Sequence, residues 1–480
     1  MDSGYSTNCN STSNLNEDVL SEVYGHLDFE ELVQCEAVCR QWREILLNGP
    51  IWKRWFQKQV ALSPSWREIW KKMAIDKNAL EPAYYRAICR ESYRQAKELN
   101  NNWCTGQYVP RNTLLHLPPS RFAYRSYFYD DWIVVASSGY DHHSREIMTY
   151  LYFFMKNSSH VTECITLPPN HDFRYTDENF LICSRRSNVY IFDRRIDKFT
   201  VQINEDEGRY IQCATLYNGL LGVLSQQRYN GRFLLSVWNV ENPSRIALLK
   251  QFSFDVDYCL NWTAFDVSIT IDEQFIVVKG YIYEEREGKR PCKGIWPKCR
   301  KEPLKKAPVV VAHFISTRTL EVERLLTVDA LTAVYDKGLL FVLIHGRVRI
   351  YDVSSGTFYR DLLLQKNASN SVCSSQFLVS VNSKYVAILY KAYWRWFGWK
   401  TKLWVYELAA LKNFDAEPKS LLLTTIENDG PLSMTMDETR IVICTVLYNE
   451  LDKSVGPLFL FVFDFSPRQT EQCSKIFPSL

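Results

Sequence analysis

One kind of segment recurs along most of this chain and restricts its possible folds more than any other feature. Four to six apolar-rich residues end in an aromatic, which is often followed by Asp, Asn or Glu. The instances are YLYFF ending at Phe154, VYIFD with Phe192-Asp193, LSVWN with Trp238-Asn239, VVAHF ending at Phe314, VRIYD with Tyr351-Asp352, LWVYE with Tyr406-Glu407 and LFVFD with Phe463-Asp464. Such runs, alternating or continuously apolar and bounded by polar turns, read as strands. Each has two more strand-like runs before it and one after, as in TAVYD, GLLFVLIH, RVRIYDV and TFYRDLLL. A four-stranded sheet cannot bury both faces alone, so repeated sheets stack around a common axis. The expectation is an all-β seven-bladed β-propeller, with blades at roughly 120–168, 172–204, 209–254, 262–328, 330–365, 374–424 and 431–478. Six or eight blades, and closure by Leu114-Leu115-His116-Leu117 as an outside strand, are open to the same pattern.

Ahead of this region the hydrophobic period is that of helices. Leu15 to Phe56 reads as three or four short helices, with Asp28 and Glu31 forming a capping box and Gly49-Pro50 stopping the third helix. Its apolar set includes Leu15, Val19, Leu20, Val23, Leu27, Phe29, Leu32, Val33, Val38, Cys39, Trp42, Trp52, Trp55 and Phe56. So short a segment cannot cover all of that surface, which makes part of it a docking face. Ser65 to Met73 is expected as a further helix with a Ser65/Glu68 capping box. A longer one is expected from Pro82 to Leu99, ended by Asn100-Asn101-Asn102.

The order Leu15, two acids, Val19-Leu20, Leu27-Asp28, Leu32, Val38-Cys39-Arg40, Trp42 and Trp52 resembles an F-box. In that family the helices insert into the adaptor subunit of a Skp-cullin-F-box ubiquitin ligase. The resemblance implies adaptor contacts at Leu15, Asn16, Val19, Leu20, Leu27, Leu32, Val38, Cys39, Trp42 and Trp52. Asn16 stands where the family usually has Pro; Asn still caps a helix but is a less rigid contact. The aromatic-acid pairs downstream look like degenerate WD repeats, without a literal Trp-Asp pair or a Gly-His opening. Asn102-Trp103-Cys104-Thr105-Gly106 is similar to the Trp-containing segment that follows the helical linker in F-box proteins with WD-type propellers. The organisation expected is α+β multidomain: a disordered tail at 1–14, an F-box at 15–60, a helical linker at 61–102 and the propeller at 103–480.

Composition narrows the function. The 480 residues carry a formal net charge of only +3, which argues against a globally basic nucleic-acid binder while allowing local basic patches. The first fourteen residues are polar, so no signal peptide or membrane anchor is expected, and the 14 cysteines are irregularly spaced, so free thiols in cytoplasm or nucleus are expected. There is no phosphate-cradling glycine loop, nucleophile elbow or HExxH motif. Asp141-His142-His143 and the Cys292/Cys299 pair lack the ligands of a metal site. No cofactor and no catalytic residue are expected.

Recognition is expected in the loops between second and third strands, which emerge on one face of a propeller. Five of them read as long: Ser138 to Thr149, Ser225 to Arg232, Glu284 to Ala307, Lys391 to Lys402 and Tyr448 to Pro457. The Glu284–Ala307 stretch has nine Lys/Arg against four Glu, with Trp296 in its middle. Lys391–Lys402 sets Trp394, Trp396 and Trp399 beside Arg395. Aromatics among cations suit an acidic or phosphorylated peptide, since the guanidinium fork pairs with an anion and rings supply apolar contact. With Arg185, Arg186, Arg228, Arg232 and Arg347, these are the expected substrate-binding residues. The resulting expectation is a non-catalytic receptor that joins a target protein to the adaptor and cullin. Two rivals are an F-box scaffold with no part in ubiquitination and a nucleic-acid-binding propeller, the latter disfavoured by near neutrality.

Overall fold

The computed structural model describes residues 17–38, 40–48, 50–72, 82–115, 123–129, 132–141, 145–155, 160–177, 179–194, 198–205, 208–227, 232–241, 246–254, 267–282, 309–344, 346–364, 376–394, 398–413, 420–427, 429–448 and 455–467. Two compact units emerge. One gathers Met1–Val109 with Asp437–Arg440 and Phe463–Leu480, and the other holds Pro110–Met436 with Ile441–Val462.

Among the described residues the first unit contains six helices: α1 (Glu17–His26), α2 (Phe29–Val38), α3 (Arg40–Asn48), α4 (Ile51–Leu62), α5 (Pro64–Lys72) and α6 (Pro82–Thr105). The Asp28/Glu31 capping box is present, each backbone N–H donating to the other's carboxylate at 2.8 Å. That pairing satisfies two orphan donors at the start of α2. The expected cap of α5 is corrected by two residues. Ser63 starts the helix, its hydroxyl accepting from the Trp66 N–H at 3.5 Å, whereas Ser65 lies inside and donates to Glu438 at 3.2 Å. The asparagine run does not end α6, which continues to Thr105, where Gly106 takes φ 70°. A glycine at that left-handed position terminates a helix without a Cβ penalty.

Strand β1 (Val109–Leu115) precedes the first blade, which is β2 (Ala123–Tyr129), β3 (Trp132–Asp141), β4 (Glu146–Met155) and β5 (Glu163–Thr166). The second blade is β6 (Asp172–Thr176), β7 (Phe180–Arg185), β8 (Asn188–Asp193) and β9 (Lys198–Asn204). The third is β10 (Arg209–Tyr217), β11 (Leu220–Gln227), β12 (Phe233–Asn239) and β13 (Ala247–Phe254). The fourth is β14 (Ser268–Ile271), β15 (Phe275–Ile282), β16 (Val309–Ser316) and β17 (Val322–Asp329). The fifth is β18 (Thr332–Asp336), β19 (Leu339–Ile344), β20 (Arg347–Asp352) and β21 (Phe358–Leu363). The sixth is β22 (Gln376–Val381), β23 (Tyr385–Trp394), β24 (Gly398–Glu407) and β25 (Ser420–Glu427), with the short helix α7 (Leu408–Lys412) between its last two strands. The seventh combines β26 (Asp429–Met436), β27 (Arg440–Tyr448) and β28 (Val455–Asp464) with β1 as its outer strand.

There are seven four-stranded sheets, as the repeat requires. The ring closes through β1, so the seventh blade takes no fourth strand from 465–478 among the described residues. First strands of neighbouring blades meet, β2 with β26, β22 with β26 and β18, and β10 with β6 and β14, which places them innermost. Apolar clusters fill the seams. Phe153 and Leu151 meet Phe173 and Leu181 between blades one and two, and Phe314 and Val310 meet Ala333 and Leu340 between four and five. Phe341 and Ile350 meet Val386 and Ile388 between five and six, while Ile133 and Phe154 meet Val442 and Leu458 between seven and one.

Each blade from the second to the seventh is also fastened at one end. The residue just beyond the third strand donates its N–H to a carbonyl in the turn between the first two strands: Arg194 to Asn179, Val240 to Gly219, Thr317 to Gln274, Val353 to Gly338, Leu408 to Lys384 and Phe465 to Thr439. In four of those turns an Asx side chain accepts two N–H groups, Asp177 from Asn179 and Phe180, Asp272 from Gln274 and Phe275, Asn382 from Lys384 and Tyr385, and Asp437 from Thr439 and Arg440. In blades two to six, moreover, the outer strand carries one extra residue opposite the third strand, at Thr200, Leu249, Glu323, Tyr359 and Leu423.

Candidate functional site

Two surfaces carry the residues singled out in the sequence, one in each unit. In the first unit a single core takes Leu20, Tyr24, Phe29, Leu32, Leu46, Ile51, Trp52, Trp55 and Phe56 together with Trp66, Tyr85 and Ile88. The long helix α6 is fixed across α2. Arg86 forms a two-pronged pair with Glu36 at 2.6 and 2.5 Å, Tyr93 stacks on Phe29 at 4.4 Å, and its hydroxyl donates to Glu30 at 2.9 Å.

This packing divides the ten expected adaptor residues. Leu20, Leu32 and Trp52 are buried in the core; Leu27 and Trp42 are partly buried against it, Trp42 edge-on to Tyr24 at 6.0 Å. Val19 and Val38 face solvent with relative exposures of 47% and 59%. Leu15, Asn16 and Cys39 lie outside the described residues. Two further valines join the exposed set, Val23 at 49% and Val33 at 40%. Their signal was present in the sequence: Val23 sits one turn after Val19 on α1, and Val33 follows the buried Leu32 by one residue, which turns it to the other side of α2. Four exposed valines on two successive short helices form apolar surface that the unit's own core does not use.

In the second unit the connections between second and third strands differ widely. Blades two and five have tight turns. Arg185 ends β7 and Arg186 takes φ 55°, while Arg347 opens β20 directly after Gly346. All three side chains are exposed and none has an ion pair among the described residues. Arg232, also exposed, stands before β12, where its carbonyl accepts from the Gln227 N–H at 2.8 Å. The Arg186 carbonyl accepts from the Ile211 N–H at 3.2 Å, tying the turn of blade two to the inner strand of blade three.

Two of the five stretches read as long loops are mainly strand. Ser138–Thr149 continues the β3/β4 hairpin, with Ser138 opposite Thr149 and Asp141 opposite Glu146. Lys391–Lys402 continues β23/β24, with Lys391 opposite Thr401, Tyr393 opposite Trp399 and Trp394 opposite Gly398. Aromatic and β-branched residues on facing strands favour pairing, so a tract read as a recognition loop extends the ladder instead. Trp394 and Trp399 thus sit in strands. Arg228, Trp296, Arg395 and Trp396 lie outside the described residues, as does the whole of 283–308.

Among the described residues no three His, Cys, Asp or Glu side chains are grouped to hold a metal ion. Cys35, Cys89, Cys104, Cys164, Cys183, Cys213 and Cys444 are free thiols; burial pushes Cys183 and Cys444 up to about 12, which makes them poor nucleophiles. No described helix is long and apolar enough to cross a membrane.

Residues 14–58 match the F-box-like family. The chain carries an F-box-like domain. A stretch of 124 residues is 23% identical to the F-box and WD repeat domain-containing 11-A protein of Danio rerio, a match that covers 24% of this chain and 22% of that protein. Among solved structures, Kluyveromyces lactis Hsv2 aligns over 70% of this chain and 97% of its own with 10% identity and a TM-score of 0.38. The WD40 domain of SCAP from fission yeast aligns over 75% and 99% with 8% identity and a TM-score of 0.42. Neither structural likeness bears on function. The chain thus joins an F-box-like domain to a seven-bladed all-β propeller.

Proposed function

We propose that this chain is the substrate-recognition subunit of a Skp-cullin-F-box ubiquitin ligase. The exposed valines on α1 and α2 carry the reading: Val19, Val23, Val33 and Val38 are apolar, solvent-facing and within the F-box-like domain. Each valine is 40–59% exposed, so covering what remains contributes about half of the roughly 1.5–3 kcal/mol of a full valine burial, and the four act as the apolar centre of a larger contact with a polar rim. The core residues Leu20, Leu32 and Trp52 hold that face in place, and Leu27 and Trp42 border it.

The propeller would hold the target. Arg185, Arg186, Arg232 and Arg347 present cations at the connections between second and third strands, and Trp394 and Trp399 occupy backbone positions of the β23/β24 hairpin at the corresponding connection of blade six. Such a face fits an acidic or phosphorylated protein segment. The receptor itself performs no chemistry; it raises the effective concentration of target lysines at the ubiquitin-charged subunit. The compartment in this reading is cytoplasm or nucleus.

The test is affinity purification with mass spectrometry under proteasome inhibition. A Val19→Glu/Val38→Glu pair leaves the core untouched and is expected to lose adaptor and cullin at least tenfold while keeping bound targets. An Arg185→Ala/Arg186→Ala pair is expected to do the reverse. Absence of adaptor from the wild-type sample sinks the proposal, whatever else is captured.

A further inference from the structure

In blades one to six the third strand is followed along the chain by the outer strand of the same sheet. The seventh blade is different. The sheet neighbour of β28 on the outside is β1, which precedes the first blade, so no peptide segment turns from one into the other.

Within the first unit, a set of contacts gathers on Phe465 and Glu438. The Trp103 indole lies flat on the Phe465 ring at 3.7 Å, with 13° between the planes, and its N–H donates to the Glu438 carbonyl at 2.9 Å. The Asn102 amide donates to the Phe465 carbonyl at 3.0 Å. Tyr108 meets Phe463 at 5.2 Å and Phe465 at 5.5 Å, and the Ser65 hydroxyl donates to the Glu438 carboxylate. Phe465 itself keeps the bond to Thr439 that fastens the other blades. Trp103 and Phe465 are both buried.

We propose that the end of α6 is a non-covalent strap that replaces the missing turn of the seventh blade. Only Gly106, Gln107 and Tyr108 separate α6 from β1. The four Cα–Cα steps from Thr105 to Val109 reach about 14 Å at most, so a fixed Trp103 keeps the first residue of β1 near the edge it must join. Pairing of β1 with β28 then becomes an intramolecular step at high effective concentration, as it is in the covalently turned blades. Seated on Phe465 and Glu438, the strap holds β28 and the β26/β27 turn together while it presents β1.

Hydrogen exchange of the full chain, followed by mass spectrometry, tests this without reference to any binding partner. Trp103→Ala is expected to raise exchange in 109–115 and 455–464 by about tenfold or more relative to the β11/β12 hairpin of blade three. Trp103→Phe keeps a ring on Phe465 but lacks the N–H, and is expected to fall between wild type and alanine. Should Trp103→Ala fail to fold, Trp103→Phe and Asn102→Ala carry the comparison. Unchanged protection of β1 and β28 in the folded variants, or equal loosening of every blade, overturns the proposal.

Discussion

Two aspartates of blade five show how placement alone sets opposite electrostatic behaviour. Asp336, at the end of β18, is desolvated, and burial pushes it up to about 6; a bond from the Val381 N–H and the charge of Lys337 oppose the rise, while Asp272 adds to it. Asp352, at the end of β20, also feels burial, but donors on Ser354, Tyr359 and Ser355 outweigh it and hold the carboxyl at about 2. An unfolded aspartate titrates near 3.9. The stability linked to Asp336 is therefore fully present below about pH 4 and lost as pH rises through about 6, amounting to about 3 kcal/mol. The part linked to Asp352 is present above about pH 4 and lost as pH falls through 2. Asp336→Asn retains an acceptor for Val381, so it is expected to flatten the fall between pH 4 and 6 in urea midpoints. A midpoint curve unchanged from wild type would show that Asp336 does not titrate there. Glycine at the hairpin turns is the second residue-level test. Gly219 and Gly338 both take positive φ, 76° and 78°, but a Cβ added at Gly219 would lie 2.9 Å from that of Glu241, whereas at Gly338 its nearest neighbour is Gln274 Oε1 at 3.9 Å. Each alanine variant is expected to cost about 1 kcal/mol for its backbone, with Gly219→Ala costing more. Denaturation midpoints in the reverse order would contradict the steric account.

Among elements, legibility followed how local the determinant was. The Asp28/Glu31 box depends on four adjacent residues and could be read directly. Asp28→Ala is expected to cost the protein about 1 kcal/mol, seen as a lower thermal midpoint with the same F-box-like fold by circular dichroism. The cap of α5 was misplaced because Ser63 and Ser65 are chemically alike; only the Pro64 start of the helix and the Glu438 partner of Ser65 separate them. The extent of α6 escaped because three successive asparagines favour a stop by propensity, while the burial of Leu99 and Trp103 holds the helix on. In the candidate site, the arginine turns of blades two and five were legible from their shortness. The β23/β24 hairpin was not, since aromatic residues beside lysines suit an exposed loop and a paired ladder equally well. Placing Leu20, Leu32 and Trp52 in one contact set with Val19 and Val38 joined residues that burial separates into core and surface.

At the scale of the molecule, the repeat of third strands was enough to count blades because each instance marks the same place in one sheet. The fourth strand of the seventh blade could not be found that way. β1 lies far from β28 in sequence, and only its last two residues, Leu114 and Leu115, belonged to the segment held open as an outside closing strand. A second repeat went unused. Asp177, Asp272, Asn382 and Asp437 hold the turn before the second strand in four blades, and would have fixed blade boundaries independently of the aromatics. The extra residue in the outer strand of five successive blades has a consequence beyond the ring. A sheet margin is a row of unspent donors and acceptors, and a straight one invites a neighbouring molecule to extend it into a fibre. By bending that margin at Thr200, Leu249, Glu323, Tyr359 and Leu423, the chain denies a crowded cell a flat template on five sides.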